Sequence, residues 1–135
     1  MVEHKTLIRV IYADTDAMGV VYHTNYIKWF EVGRCELLRS IGYPYARLEE
    51  EGILLPVAEC ACKYKLPAVY DDMLEITARV AERKGVTVTL EYEIRKQETG
   101  NLLVTGFTKH AVTDPDFKPI RLRDKNPGLY ERLGR

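Results

Sequence analysis

The stretch YADTDAMGVVYHTNY, residues 12–26, combines acidic side chains, a glycine and a histidine ahead of an apolar run. A carboxylate such as Asp14 or Asp16 can attack a carbonyl carbon, or take a proton from a water molecule that attacks it. His23 is the nearby side chain that titrates near neutral pH. Asp-x-Asp in a loop also commonly serves turn structure, in which carboxylates accept backbone N–H groups. The stretch therefore leaves acyl-transfer chemistry and plain loop structure open.

The segment from residue 23 to residue 42 predicts a helix whose first turn forms a site for negative charge. Its apolar stripe, at helical spacing, consists of Tyr26, Phe30, Gly33, Leu37 and Ile41. Gly33 on that stripe indicates a close approach to a sheet. The first amides of a helix lack helical partners, and the helix dipole adds partial positive charge there. We expect Thr24 or Asn25 to cap some of these donors, and the rest, near His23, to form an oxyanion site.

The remaining elements are predicted to be mostly strands. β-Branched and alternating residues predict strands over residues 6–12, 55–66, 72–82, 86–94 and 102–113, with a short helix over residues 45–52. Short links between the later strands favour antiparallel pairing. One long helix must then cover one face of the sheet. The prediction is an α+β domain with a curled antiparallel sheet of about five strands wrapped around one long central helix.

Size and composition narrow the classes of function. The chain has 135 residues, which suits a single domain over 1–135, and its formal net charge is zero. Zero net charge argues against a generally basic nucleic-acid binder. No run approaches the roughly 20 apolar residues of a membrane span, and the first residues lack a secretory signal pattern. Three cysteines, an odd number, favour a reducing cytoplasm with free thiols, and no ligand set with metal-binding spacing accompanies them.

Read as one piece, RVIYADTDAMGVVYHTNY, residues 9–26, resembles the signature of the 4-hydroxybenzoyl-CoA thioesterase family of hotdog-fold proteins. The longer form DTDAMGVVYHTNYIKWFEVGRCELLRSIG is most similar to the bacterial acyl-CoA thioesterase branch associated with the Tol–Pal system. A second block, KYKLPAVYDDMLEI over residues 63–76, resembles the family's next motif. The similarity extends over residues 7–112.

The resemblance implies an acyl-CoA thioesterase with assigned roles for two residues. The family's catalytic carboxylate falls on Asp16, either as nucleophile or as general base. The backbone N–H that polarises the thioester carbonyl falls on His23, whose imidazole also has a role in the branch that carries a histidine here. The benzoyl-specific branch lacks this histidine, which disfavours a hydroxybenzoyl substrate. Asp14 is then expected to be structural.

The resemblance also implies binding sites and an assembly. The phosphates of coenzyme A are expected at the turn AERKGV, through Arg83 and Lys84, although a solvated hairpin with ordinary surface charge is an equal alternative. Tyr64 is expected to line the acyl or pantetheine channel, where simple core packing is the alternative. No metal and no cofactor are implied, because coenzyme A is part of the substrate. Family members pair edge to edge, so we expect a homodimer or homotetramer with active sites at the seam.

Two other functions compete with hydrolysis. A non-hydrolytic hotdog protein could hold an acyl group or a partner protein, and it would be expected to lack the carboxylate that Asp16 supplies. A hotdog hydratase or dehydratase places its catalytic histidine ahead of a Gly- or Pro-rich helix start, an arrangement that HTNY does not match. The presence of Asp16 therefore favours acyl-CoA hydrolysis.

Overall fold

The computed structural model describes residues 2–134 of the chain. One long α-helix, three short α-helices and a 3-10 turn at Tyr12–Asp14 accompany five strands. The strands are β1 (Glu3–Arg9), β2 (Val57–Tyr64), β3 (Met73–Lys84), β4 (Thr87–Lys96) and β5 (Leu102–Ala111). The helices are α1 (Thr24–Ser40), α2 (Tyr45–Glu50), α3 (Leu122–Lys125) and α4 (Pro127–Arg132). Among residues 2–134, none of the helices has the length and hydrophobicity to cross a membrane.

The five strands form one antiparallel sheet in the order β1-β3-β4-β5-β2. The predicted number of strands, their pairing and the single long helix are confirmed. The first strand is earlier than expected, because the ladder ends where Arg9 pairs with Met73. Beyond that point Val10 bonds to the backbone of Asp71 and Asp72, outside the strands. The chain thus leaves the sheet directly into the segment that carries the acidic residues.

Helix α1 lies very close to one face of the sheet. The predicted stripe residues Tyr26, Phe30, Gly33 and Leu37 are buried. A Cβ atom added to Gly33 would lie 2.9 Å from Cγ2 of Ile76 on β3. On β5, a Cβ atom added to Gly106 would lie 2.4 Å from the Ala61 carbonyl oxygen and 2.6 Å from the Phe30 ring. Two glycines, one on the helix and one on the sheet, therefore set the separation between the layers.

The C-terminal region forms two short helices that were not predicted from the sequence. Helix α4 starts with Pro127, and the Asn126 side chain caps it by accepting the Leu129 N–H at 3.0 Å. Leu122, Leu129 and Leu133 bury their side chains in the core. The Arg83 guanidinium, near the end of β3, donates a hydrogen bond to the Tyr130 carbonyl in α4. These helices therefore lie beside that end of the strand.

The sheet has two ends with different neighbours. The loop end carries residues 10–22 and the last residue of β2, Tyr64. The turn end carries the β3–β4 turn at Lys84–Thr87 and the C-terminal helices. Eleven residue steps separate Met73 from Lys84 along β3, which corresponds to roughly 35 Å at about 3.3 Å per residue. Within one chain, groups at the loop end of the sheet therefore lie far from groups at the turn end.

Candidate active site

The loop before α1 is a tight, hydrogen-bonded turn with Asp16 at its start. The Asp16 N–H donates to the Val20 carbonyl at 2.9 Å, and the Gly19 N–H donates to the Asp16 carbonyl at 3.0 Å. Gly19 has φ +81°, a conformation that glycine adopts without steric cost. The turn fixes the backbone of Asp16 close to the start of α1 in the sequence.

Asp14 has the structural role expected of it. Its side chain is buried and accepts the Ile11 N–H at 3.0 Å, with the Lys28 ammonium at 3.4 Å. Its own carbonyl accepts the Tyr22 N–H and the Asn25 side-chain amide, both at 2.8 Å. Asp14 thus ties the strand exit to the helix start, and its oxygens are occupied by these bonds.

Asp16 differs from Asp14 because only one of its carboxylate oxygens is engaged. Oδ1 accepts the Met18 N–H at 2.8 Å. Within residues 2–134, Oδ2 has no hydrogen-bond partner, and the residue is only partly buried. A backbone bond to one oxygen fixes the carboxylate and leaves the other oxygen free to accept a proton or to attack.

The start of α1 is left without a side-chain cap. His23 occupies the N-cap position in a helical conformation, with φ −57° and ψ −30°. The expected capping by Thr24 or Asn25 is wrong, because the Asn25 amide donates to the Asp14 carbonyl instead. In the described part of the chain, the His23 and Thr24 N–H groups have no acceptor. These unsatisfied donors carry the positive end of the helix dipole.

A half-open pocket of about 270 Å³ brings Asp16 and His23 together. Its walls are mostly apolar. The lining residues are Asp16, Met18, Val20, Val21, His23, Tyr26, Tyr64, Lys65, Leu66 and Pro67. The predicted residues Asp16, His23 and Tyr64 thus face one space, in which a carbonyl group could lie between a carboxylate and free amides.

The segment from Tyr64 to Ala68 closes the far wall of this pocket. The Ala68 N–H donates to the Tyr26 hydroxyl at 3.2 Å, and the Ala68 carbonyl accepts the Val21 N–H at 2.9 Å. Burial raises the pKa of the Tyr26 hydroxyl, the bond from Ala68 partly offsetting that rise. Hydrogen bonds therefore hold this wall to the helix and to the acidic loop. The bonded residues are far apart in the sequence, so no local pattern predicts these bonds.

Arg83 and Lys84 lie at the turn end, away from the Asp16 pocket of their own chain. The Arg83 guanidinium stacks on the Tyr130 ring at 3.7 Å from its centroid and donates to the Tyr130 carbonyl. Arg123 lies 5.8 Å from the same ring, and Arg121 lines a small cleft beside it. Within residues 2–134, none of these four basic side chains has a carboxylate within 4.0 Å. The geometry does not support phosphate binding by Arg83 and Lys84 at the Asp16 pocket of the same chain.

The basic residues at the turn end form a group that we name the turn-end cluster. It comprises Arg83 and Lys84, the last two residues of β3, with Arg121 and Arg123 from the segment beside them. Arg121 and Arg123 were not predicted as site residues, because they follow the last predicted strand. The signal that could have found them is the run IRLRDK, in which basic residues alternate ahead of the capped helix α4.

Among residues 2–134, no three His, Cys, Asp or Glu side chains converge in a metal-binding arrangement.

The chain matches known proteins over most of its length. Residues 10–123 match the family model described as the thioesterase-like superfamily. A relative described as an acyl-CoA thioesterase, YbgC of Haemophilus influenzae, is 39% identical over 128 residues, which cover 93% of each chain. A relative described as a putative acyl-CoA thioesterase, YneP of Bacillus subtilis, is 36% identical over 127 residues, covering 93% of this chain and 91% of YneP.

A solved structure gives the same fold. The DHNA-CoA thioesterase from Staphylococcus aureus superposes with a TM-score of 0.92 at 35% identity, covering 98% of this chain and 89% of that one. The family resemblance seen in the sequence and the predicted hotdog arrangement of sheet and helix are confirmed. The chain belongs to the thioesterase-like superfamily.

Proposed function

We propose that this protein is an acyl-CoA thioesterase that hydrolyses an acyl-CoA thioester to the free acid and coenzyme A. One observation carries the proposal: the partly free carboxylate of Asp16 and the uncapped N-terminus of α1 at His23 line the same pocket. Relatives described as acyl-CoA thioesterases support it. The mostly apolar walls suit an acyl group.

The proposed chemistry uses two groups of the chain. Free amides at His23 stabilise the negative charge that develops on the thioester oxygen. In one route Asp16 takes a proton from water, the water oxygen bonds to the carbonyl carbon, and the carbon–sulfur bond breaks to release the coenzyme A thiolate. In the other, Asp16 attacks the carbonyl carbon, the thiolate leaves, and water hydrolyses the resulting anhydride.

A single turnover in H₂¹⁸O separates direct attack by water on the thioester from an anhydride route in which water attacks the Asp16 carboxyl carbon. Direct attack by water places ¹⁸O in the released acid. Attack by Asp16, followed by hydrolysis at the Asp16 carboxyl carbon, releases an unlabelled acid in the first turnover and leaves ¹⁸O on Asp16. Mass spectrometry of the acid and of the peptide containing Asp16 reads both outcomes.

A panel of coenzyme A esters tests the activity. Acetyl-, hexanoyl-, palmitoyl- and benzoyl-CoA are incubated with the protein, and released thiol is followed with a chromogenic disulfide. We expect turnover of at least one ester, and we expect Asp16→Asn to lower kcat at least about a hundredfold, because a general base or nucleophile supplies that much. Asp116→Asn, which changes an exposed aspartate in another loop, is the matched control and should retain the parent rate.

The same panel can reject the proposal. Turnover by Asp16→Asn at the parent rate would remove the assigned role of Asp16. Saturable binding of an ester without any thiol release by the parent protein would instead favour a non-hydrolytic acyl-binding function.

We further propose that the protein acts as a dimer that pairs through β2. Among residues 2–134 this strand bonds only to β5, so its other edge is open there. It is mostly exposed and carries two charged residues, Glu59 and Lys63, whereas the other edge strand, β1, has charged or ionisable side chains at Glu3, His4, Lys5 and Arg9. Charged edge strands resist pairing, whereas an open edge with few charges favours it.

Antiparallel pairing of two β2 strands would complete the substrate site. A two-fold axis through the pair reverses the direction of the second sheet, so that the turn end of the partner lies at the loop end of this chain. The phosphates of coenzyme A bound at Asp16 would then meet Arg83 of the partner subunit. This arrangement gives the turn-end cluster a role that it cannot have within one chain.

Mixed dimers test this composite site. The double change Arg83→Ala and Lys84→Ala is expected to raise the KM for coenzyme A esters several-fold, because exposed charge pairs contribute up to about 1 kcal/mol each. When this variant is co-expressed with Asp16→Asn, the hybrid dimer has one site with Asp16 and an intact partner cluster. Recovery of the parent KM in the isolated hybrid supports the composite site, and a KM that stays raised contradicts it.

The free thiols of Cys35, Cys60 and Cys62 agree with a cytoplasmic location, which we also propose.

A further inference from the structure

Tyr64 links the sheet to the start of helix α1. It is the last residue of β2, and its hydroxyl donates to the His23 carbonyl at 3.1 Å. Its ring lies edge-on to the His23 ring, with centroids 6.1 Å apart, and 5.6 Å from the Tyr26 ring. The residue is 48% exposed, so this contact contributes little to the buried core.

The bonded carbonyl belongs to the peptide between His23 and Thr24. The same peptide carries the Thr24 N–H, and the preceding one carries the His23 N–H; in the described part of the chain neither donor has an acceptor. A hydrogen bond accepted by a carbonyl fixes the plane of its peptide and strengthens the N–H on the other side of it. The same carbonyl also accepts the Tyr26 N–H at 3.4 Å, so the Tyr64 hydroxyl adds a second bond that orients the peptide at the start of α1, where His23 lines the pocket.

The hydroxyl is suited to remain a donor. The partial burial of its hydroxyl, together with the neighbouring Cys62, raises the pKa of Tyr64 to about 12. The phenol consequently stays protonated across the pH range in which a thioester is hydrolysed enzymatically. With its proton committed to the His23 carbonyl, the hydroxyl is not placed to donate a proton to a leaving group.

We propose that Tyr64 is a positioning residue for thioester hydrolysis, whose hydroxyl holds the first turn of α1 so that the free amides at His23 point at the thioester oxygen. This inference rests on the proposed thioesterase function. It assigns Tyr64 a role in the transition state through the backbone of His23, beyond lining the channel.

The substitution Tyr64→Phe isolates the hydroxyl because the ring and its aromatic contacts remain. With the ester that the parent hydrolyses fastest, we expect kcat to fall roughly fivefold to tenfold while KM stays within about twofold, since the amides matter most when charge develops on the oxygen. The matched control is Tyr22→Phe. The Tyr22 ring also contacts His23, at 4.7 Å, but no partner of its hydroxyl is found among residues 2–134. That variant should keep both constants.

A second measurement reports the same bond without relying on the rate. In isotope-edited infrared spectra, the thioester carbonyl of an ester bound to Asp16→Asn should absorb at lower frequency than in water, because the amides polarise it. Adding Tyr64→Phe to that variant should move the band back toward the frequency in water. A purely structural role of Tyr64 would lower the melting temperature and leave the band in place.

The outcomes distinguish the two proposals. In one outcome the parent enzyme is active and loses its activity on Asp16→Asn, while Tyr64→Phe changes neither kcat nor the band position. That result overturns the role of Tyr64 and leaves the proposed function standing. A raised KM at constant kcat overturns it in favour of simple substrate contact. A parent protein that hydrolyses none of the esters overturns the proposed function and the role of Tyr64 with it.

Discussion

The start of helix α1 and the core around His110 both combine ionisable and hydroxyl groups, yet they use them in opposite ways. His110 is fully buried; its Nδ1 bonds to the Leu55 carbonyl at 2.9 Å and its Nε2 to Oγ1 of Thr108 at 2.8 Å. Thr108 Oγ1 in turn bonds to the Tyr92 hydroxyl at 2.6 Å. At the start of α1, by contrast, one oxygen of Asp16 and the His23 amide have no partner among the described residues.

The difference teaches where chemistry can occur. In the core network the bonding capacity of the histidine ring is fully used, and because burial disfavours its charged form, the pKa of His110 falls to about 4, despite the bond to the Leu55 carbonyl. Such a network specifies packing. At the helix start, donors and an acceptor remain available on the wall of a pocket, so a substrate can complete bonds that the protein leaves open.

The largest expected effect comes from breaking the core network. His110→Ala removes a buried ring, leaves the Leu55 carbonyl without its side-chain donor, and leaves the Thr108 hydroxyl with Tyr92 alone. The free energy of unfolding should fall by about 4 kcal/mol. Urea denaturation at pH 7.5 measures it. The fraction that remains folded should keep the parent kcat, and a selective loss of kcat at unchanged stability would contradict the comparison.

A slightly smaller effect is expected from protonating the same network. The pKa of His110 is about 4 in the folded protein and about 6.5 when unfolded, so the unfolded state binds the proton first. Stability from this group is complete above pH 6.5 and falls as the pH drops toward 4, by about 3 kcal/mol in total.

Urea denaturation at several pH values tests the protonation effect. The parent should lose more stability than His110→Gln between pH 6.5 and 5, a window above most carboxylate titrations. Parallel curves for the two proteins would show that His110 does not titrate in this way. Repulsion between the Arg34 guanidinium and the protonated His110 ring also lowers the pKa of His110.

Removing the saturated aspartate should cost less. Asp14→Ala deletes the acceptor of the Ile11 N–H and the partner of Lys28, and should lower the free energy of unfolding by about 2 kcal/mol. Activity should remain within a fewfold of the parent when measured well below the melting temperature. A hundredfold loss of kcat in a stable Asp14→Ala protein would mean that the two aspartates have been assigned the wrong roles.

The smallest effect is expected from the exposed histidine. His23→Ala keeps the backbone amide and removes an exposed imidazole, so the free energy of unfolding should change by less than about 0.5 kcal/mol. A fall in kcat of about threefold to tenfold would report a separate contribution of the ring to hydrolysis. An unchanged kcat would assign the whole role of His23 to its backbone.

Local sequence patterns predicted much of the fold, and they predicted the part of the site formed by Asp16 and the start of α1. Alternation along β3 and β4 placed Leu74, Ile76, Leu90 and Tyr92 in the core, where the structure has them. The C-terminal helices were missed because only Leu122, Leu129 and Leu133 mark them, in a segment with many charges. The Tyr64–His23 bond joins residues 41 positions apart, which no local pattern reveals. Likewise, Arg83 and Lys84 were placed by resemblance, and their distance from Asp16 follows only from the length of β3.

Gly106 imposes a constraint that reaches well beyond its own strand. The space that a methyl group would need there is taken by the Ala61 carbonyl and by the ring of Phe30, two helical turns after His23. Even alanine at this position would displace the helix, and the amides at its start would move with it. A side chain at Gly106 would therefore alter the pocket at the helix start, although Gly106 itself does not line that pocket.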